Sequence, residues 1–341
     1  MTQMRKLNIL FLVDGGIGNA IQALYAVEFC LREGVRVAIY LSKVNPSFQN
    51  YLRDCYGEEV VLNSVRGVET EHLIHSFTFQ ERIDLSFDSY FYIQPDYHSS
   101  RYLSETQQYL SVVRALYSSN GPVTVLKRLI GEFSDRVRSL NIEDKTVLCP
   151  GCSPASSAKR WPYYLALSER LGSDNVLFIG GDGDLDFESS YIYPKYMARV
   201  LPQKLLNSRE LWRFFKKMRL LRPFSHYEEI KQSRNAYFDY FRWPELVEIF
   251  RRCKCCVTND NGLMHLASAV GARGVAIFGP TSRDKNRPLN PNMIALSNDY
   301  SCQPCQFGVG KVKMAHHYIN CPYQMRCLTN LTVDKVLGNL K

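Results

Sequence analysis

The sequence predicts an α/β protein of two Rossmann-like, doubly wound domains facing each other across a cleft. Three observations carry this expectation. At 341 residues the chain exceeds the usual size of one domain. Apolar runs of strand length alternate with segments whose apolar residues recur at helical spacing. The alternation lapses near residue 140 and starts afresh at Thr146, which divides the chain into 1–144 and 145–341.

In the first half, Leu7–Val13 is an apolar strand, Gly15-Gly16-Ile17-Gly18 a turn, and Ala20–Glu33 a helix with Ile21, Leu24, Val27 and Leu31 along one stripe. Val35–Leu41, rich in β-branched residues, is a second buried strand. Such a βαβ start implies a parallel sheet with helices on its faces. The stretch 76–121 is aromatic-rich, with tyrosines at 90, 92, 97, 102, 109 and 117, and resists division into elements. Segment 120–145 reads as a helix followed by the polar connection Asn141-Ile142-Glu143-Asp144-Lys145. In the second half Thr146–Cys149 is a strand, Trp161–Leu171 a helix, and Val176–Ile179 a strand ending in Gly180-Gly181. An insertion at 187–234 interrupts the pattern. It resumes with helix Pro244–Arg252, strand Cys255–Thr258, helix Gly262–Val270 and strand Gly274–Phe278.

With 45% hydrophobic and 22% charged residues, the composition is that of an ordinary globular chain. No stretch reaches the roughly 18 uninterrupted apolar residues of a membrane span. The basic start and Leu7–Val13 resemble a signal peptide, but the apolar run is short and breaks at Asp14-Gly15-Gly16 without a small-residue cleavage site. A cytoplasmic protein is expected, its eleven cysteines being thiols or metal ligands rather than disulfides. Of the net charge of +9, the segment Lys195–Arg222 carries +8, with nine basic residues against Glu210. So local a block points to an anionic partner at that place and not to general nucleic-acid binding.

Three loops carry chemistry. Gly15, Gly16 and Gly18 lie between a strand and a helix, where a bare backbone and helix amides can approach an anion. The spacing is not that of a dinucleotide fingerprint, and the second strand ends in Ser42-Lys43 instead of an acid, which disfavours a nicotinamide cofactor. The segment Cys149-Pro150-Gly151-Cys152-Ser153-Pro154-Ala155-Ser156-Ser157-Ala158-Lys159-Arg160-Trp161-Pro162 brings hydroxyls, two cations and a proline-opened helix together, as a diphosphate site requires. Thr258-Asn259-Asp260-Asn261-Gly262-Leu263-Met264-His265 ends a strand in polar residues and opens a helix. Gly279-Pro280-Thr281-Ser282 adds a polar loop at the end of the next strand, and all these loops lie at the carboxyl edge where open α/β sheets bind ligands.

The pieces V-L-C-P-G…A-K-R-W-P, T-N-D-N-G-L-M-H-L-A-S-A-V-G and I-F-G-P-T-S resemble glycosyltransferase family 9, the bacterial heptosyltransferases, and G-G-I-G-N-A-I-Q-A-L-Y-A resembles that family's first loop and helix. The resemblance runs from about residue 7 to the C-terminus, leaving 187–234 and much of 45–140 unmatched. It implies a GT-B fold and metal-independent, inverting transfer from ADP-heptose to a surface-glycan or lipopolysaccharide-core acceptor. It implies further that Lys159 contacts the donor phosphate, that Asp260, Asn261, Gly262, Leu263 and His265 form the donor-binding loop and helix, and that Thr281 is another donor-side contact. An acid after Gly180-Gly181 is implied to hold the ribose. Asp182, Asp184 and Asp186 compete for that place, with Asp184 favoured. Ser156 and Ser157 join the donor set through their loop.

The family's first loop ends in an aspartate read as the catalytic base, and here that position is Asn19. An amide cannot take the acceptor proton at neutral pH. The expectations are therefore that Asp14 serves, with Asn19 orienting the acceptor, or that the base comes from elsewhere, or that the chain is a non-catalytic module binding a nucleotide sugar. A protein acceptor is the other alternative.

Cys302-x2-Cys305-x15-Cys321-x5-Cys327 places four cysteines in 26 residues, the spacing of a tetrahedral thiolate site for structural zinc or iron, with His316 and His317 as substitutes. Related transferases carry a similar C-x2-C…C-P-x4-C pattern. Within the insertion, Arg209–Arg222 interleaves Leu211, Trp212, Phe214, Phe215 and Met218 with cations. A peripheral contact of 195–222 with the inner membrane, a lipid-linked acceptor, or a helix packed on its own domain all fit that pattern.

Overall fold

The computed structural model describes residues 6–76, 79, 85–93, 103–181, 183–185, 226–305, 321 and 323–340; the side chains of Pro154, Ala155, Ser157, His226 and Glu228 also lie outside that description. The expectations for 187–225, Asp182, Asp186, His316 and His317 thus fall outside the described residues.

Strand β1 (Leu7–Val13) is buried from Ile9 onward because it lies in the middle of its sheet. On one side it pairs in parallel with β2 (Val37–Leu41), which pairs with the short β3 (Val61–Leu62). On the other side stand β4 (Glu69–Ser76) and β5 (Ser86–Ile93), giving the parallel order β3-β2-β1-β4-β5. Helix α1 (Ile17–Arg32) follows β1, and α2 (Pro46–Tyr56) follows β2. Helix α3 (Glu105–Tyr117) is fixed by a capping box of Ser104 and Gln107. The Ser-x-x-Gln spacing was the one local signal for a helix in the aromatic-rich stretch.

The second sheet begins at β6 (Thr146–Cys149) and continues with β7 (Val176–Gly180), β8 (Ala236–Phe238), β9 (Cys255–Asn259), β10 (Gly274–Ile277) and β11 (Met293–Leu296). Its parallel order among the described residues is β11-β10-β9-β6-β7-β8. Both sheets reverse direction beside their first strand, at β1/β4 and at β6/β9. Such a switch point leaves a crevice at the carboxyl ends of the strands. Two Rossmann-like units in tandem are therefore the architecture, as the restart at Thr146 predicts.

The two units share a core. Helix α1 is buried along Ala20–Cys30 on nearly every side, and one apolar cluster runs from Phe11, Tyr25 and Phe29 to Met264 and Leu266 of the second unit. Alanines 20, 23 and 26 keep α1 thin enough to lie between its own sheet and the facing domain.

Two expected elements differ. The helix expected in 120–145 reduces to α4 (Asp135–Arg138). Its backbone amides are taken elsewhere: Lys127 and Arg128 N–H donate to the buried Glu28 carboxylate at 2.9 and 3.0 Å, and Leu126 N–H donates to Ala269 O at 2.7 Å. The helix expected from Trp161 is α5 (Tyr164–Leu171), and Trp161 N–H donates to Asn259 Oδ1 at 3.1 Å. Past β7 come α6 (His226–Lys231), α7 (Trp243–Arg252), α8 (Gly262–Ala269), α9 (Arg283–Asn286), α10 (Arg326–Thr329) and α11 (Val333–Gly338). Among the described residues no helix is long and apolar enough to cross a membrane.

Candidate active site

The first turns of α1 and α8 meet across the domain boundary. A Cβ built on Gly18 would stand 2.7 Å from His265 Cδ2, and one built on Gly262 would stand 3.2 Å from Ile17 Cβ. Only glycine at both positions permits this approach. Gly15, at φ +108, turns the chain out of β1 in a conformation that favours glycine, and Gly16 then caps α1. Asn261 caps α8: its Oδ1 accepts from Met264 N–H at 2.9 Å while its Nδ2 donates to Gly151 O at 2.8 Å.

Around this junction lies a cavity of about 410 Å³ lined by Gly16, Gly18, Asn19, Gln22, Ser153, Ser156, Lys159, Asp260, Asn261, His265, Lys285 and Asn286. Lys159 Nζ lies 3.3 Å from Asp260 Oδ2, and Asn286 Nδ2 donates to the same oxygen at 3.0 Å. Burial pushes the Asp260 carboxyl up, but Lys159, His265, Thr281 and Asn286 outweigh it and hold the group below the usual carboxylate range. Burial drives the His265 imidazole down to about 4; Asp260 opposes this, while Lys159 and Lys285 add to it. His265 is therefore neutral near pH 7, and Lys159 and Lys285 supply the positive charge on the cavity wall. Such a wall suits a diphosphate.

Ile17, Cys152, Ser153, Asn261 and Gly262 also line a second cavity of about 870 Å³, so the two spaces adjoin. Its wall carries Gly180, Gly181, Asp184, Asp239, Tyr237, Tyr240, Phe241, Trp243 and Leu263. Asp184 Oδ2 accepts from Gly181 N–H at 2.8 Å, and burial raises its carboxyl. Aromatic faces with two carboxylates are the chemistry that recognises a nucleoside, stacking its base and accepting from its ribose hydroxyls.

Several expected site residues stand apart from the cavities. Asp14 is buried at the end of β1. Its Oδ2 lies 2.6 Å from Lys43 Nζ and its Oδ1 accepts from Gly15 N–H, so it braces the loop and lines neither cavity. Thr281 is buried behind Asp260. Arg160, the second cation of its loop, turns into the core, where it donates to Leu185 O at 3.0 Å and faces the Tyr227 ring. Ser156 lines the smaller cavity, while the Ser157 side chain lies outside the described residues. Sequence reasoning missed Lys285, Asn286, Asp239 and the tyrosines of 237–240. Position after the polar loop Gly279–Ser282 and the aromatic run before α7 were their signals.

Cys302, Cys305, Cys321 and Cys327 line one small cavity of about 10 Å³. Burial and the three neighbouring thiols push Cys327 up to about 12. Among the described residues no three side chains close to metal-ligand geometry, so the sulfurs meet without forming a finished coordination shell.

Residues 241–316, which span α7 to α9 and thus the Asp260–His265 and Lys285 segments, match the family described as glycosyltransferase family 9 (heptosyltransferase). Over 90 residues the chain is 32% identical to lipooligosaccharide heptosyltransferase 2 of Campylobacter jejuni, a match covering 26% of this chain and 25% of that protein. The aligned stretch is thus about a quarter of the curated relative. Across the whole chain the fold is similar to a glycosyltransferase family 9 structure from Veillonella parvula, with 13% identity, a TM-score of 0.59, and coverage of 99% of this chain and 97% of that one. It is also similar to an iron-containing dodecameric glycosyltransferase of enterotoxigenic Escherichia coli, with 12% identity, a TM-score of 0.55, and coverage of 98% and 76%. Residues 241–316 are thus similar to glycosyltransferase family 9, and the two-domain architecture is the GT-B fold.

Proposed function

We propose that this chain is a metal-independent, inverting glycosyltransferase that moves heptose from ADP-heptose onto a surface-glycan or lipopolysaccharide-core acceptor. One observation carries the reading. A cation-walled cavity at two opposed helix N-termini opens into a larger aromatic cavity, and both are built partly on the segment that matches the family. In this reading the nucleoside lies against Tyr237, Tyr240 and Phe241 with Asp184 and Asp239 at the ribose, and the diphosphate lies between Lys159, Lys285 and the first turns of α1 and α8.

The chemistry follows from that placement. Holding the acceptor oxygen in line with the anomeric carbon removes much of the entropic barrier. Negative charge grows on the diphosphate as the glycosidic bond breaks, and fixed cations in a water-poor cavity stabilise it most at that moment. Neutral His265 packs beside Asp260 without adding a competing charge.

The cysteine cluster is proposed as a structural metal site held by Cys302, Cys305, Cys321 and Cys327. The shared cavity supports this, and four thiols are the donor set of tetrahedral zinc or iron. The solved structure described as iron-containing has a similar fold. A metal here would staple the C-terminal lobe and take no part in transfer. Peripheral contact with the cytoplasmic membrane face through 195–222 is proposed on charge alone, because that segment lies outside the described residues.

Purified protein incubated with a panel of nucleotide sugars tests the reading, with binding followed by ADP release and transfer. ADP-heptose bound and turned over is the expected result. Binding without ADP release would favour the non-catalytic module that Asn19 suggests, and no binding to any nucleotide sugar would refute the assignment.

A further inference from the structure

Two residues on the wall of the smaller cavity, Asn19 from the first domain and Lys285 from the second, contact the same buried carboxylate. Asn19 Nδ2 donates to Glu105 Oε1 at 3.3 Å, and Lys285 Nζ lies 3.2 Å from Glu105 Oε2. Glu105 is 1% exposed. It opens α3, yet the cap of that helix is made by Ser104 and Gln107, so the carboxylate is not consumed in capping. Tyr109, one turn further along α3 and fully buried, is a further titratable group it faces among the described residues. A charged carboxylate in such a place is costly without a partner. Here its partners are two residues that line the cavity.

Resting on the transferase reading above, we propose that Glu105 accepts the proton of the attacking hydroxyl, the role that the Asn19 amide cannot fill. The Asn19 contact, at 3.3 Å, is at the weak end of hydrogen bonding and yields to a hydroxyl entering beside it. The acceptor oxygen bonds to the anomeric carbon while the bond from that carbon to the phosphate oxygen breaks. The electron pair of the broken bond leaves on the diphosphate, and the hydroxyl proton passes to Glu105, which ends neutral. Lys285 loses its anionic partner as a new anion forms in the cavity it lines, so positive charge is available to the leaving group when it is needed.

The test uses the full chain with ADP-heptose as donor and water as acceptor, reading ADP release. Glu105→Gln still offers Asn19 a carbonyl oxygen but cannot take a proton. Its turnover is expected to fall by about 100-fold or more. ADP affinity should hold, the melting temperature should fall because Lys285 loses its partner, and the acid-side fall of the rate with pH should vanish. Asn19→Asp added to Glu105→Gln should recover at least about tenfold by putting a carboxylate on the wall itself. Wild-type turnover in Glu105→Gln, a loss that tracks weakened ADP binding, or no recovery in the double variant would each overturn the proposal. If Glu105→Gln does not fold, Glu105→Asp keeps a charge near Lys285 but withdraws the carboxylate by one methylene. A loss of about tenfold in turnover at unchanged ADP affinity supports the assignment there, and unchanged turnover overturns it. A wild-type protein that binds the donor yet never releases ADP would instead fail the transferase reading itself, and Glu105 with it.

Discussion

Replacing Gly18 by alanine pits two effects of known sign against each other. Gly18 lies in the first turn of α1, where Gly→Ala in an open helix would stabilise by up to about 1 kcal/mol. The new Cβ, however, would stand 2.7 Å from His265 Cδ2 and 3.3 Å from its Nε2. Carbon pairs settle at about 3.5–4.0 Å, so the ring or the helix must retreat by roughly 1 Å. The ring has little room, being 9% exposed with Asp260 and the two lysines around it. Overpacking of this kind costs about 1–3 kcal/mol, which exceeds the helix gain. The melting temperature should therefore fall by a few degrees. Turnover should fall more steeply, by about 100-fold, because a shift of roughly 1 Å spoils the alignment of donor groups. Gly338→Ala is the control: its Cβ would meet nothing within 4 Å, so the same substitution at the end of α11 should leave stability equal or higher. Thermal melts and ADP release from ADP-heptose measure both quantities. A Gly18→Ala protein that melts higher than wild type with unchanged turnover would refute the close packing of α1 on His265.

Lys159→Ala removes a cation from the cavity and leaves Asp260 with less compensation, so turnover should drop about 100- to 1,000-fold with a lowered melting temperature, while Lys159→Arg should retain more of both. Steady-state ADP release checks this, and wild-type turnover would remove Lys159 from the site. His265 is neutral in the folded protein with its imidazole near 4 against an ordinary 6.5. Between those values the unfolded chain binds a proton that the folded chain refuses. Stability is thus full above about pH 6.5 and lost as pH falls towards 4, by up to about 3 kcal/mol. Urea unfolding at pH 7, 6 and 5 should show that loss in wild type and a shallower one in His265→Asn. Elemental analysis of protein purified without oxygen should find about one zinc or iron per chain, and Cys302→Ser with Cys305→Ser should abolish it while sparing ADP binding; equal metal content in the variant would exclude the cluster.

What the sequence made legible follows from how local each signal is. β1, β6, α8 and β10 are apolar runs bounded by glycines or polar turns, and their ends were readable to within a few residues. Lys159, Asp260, Asn261 and His265 sit in loops or first helical turns that follow such runs, and the structure gathers them around one cavity. Glu105, by contrast, stands behind this wall, held to Asn19 and Lys285, only because α3 packs beside α1 and a lysine arrives from α9 across the domain boundary. Nothing within ten residues of Glu105 announces that. Asp14 is the mirror case. It is close in sequence to the glycine loop, but Lys43 at the end of β2 draws its carboxylate away. The connector 120–145 has helical-looking residues whose amides are claimed by Glu28 and by α8, and tertiary partners of that kind override propensity.

The buried carboxylate of Glu105 behind Asn19 bears on why an amide stands there. An aspartate at 19 would place a second carboxylate where Asn19 Nδ2 now donates to Glu105 at 3.3 Å. Two such groups at that distance repel, and the repulsion raises the hold of one of them on a proton where a free base is needed. With glutamate at 105, asparagine at 19 is the residue that satisfies the carboxylate instead of opposing it. Lys285 reaches Glu105 only while the two domains are together, because the pair bridges α3 and α9. On the proposed reading, the basic group and the cations beside the diphosphate are therefore assembled by the same domain contact. A variant that parts the domains should lose proton transfer and phosphate stabilisation together, not one after the other.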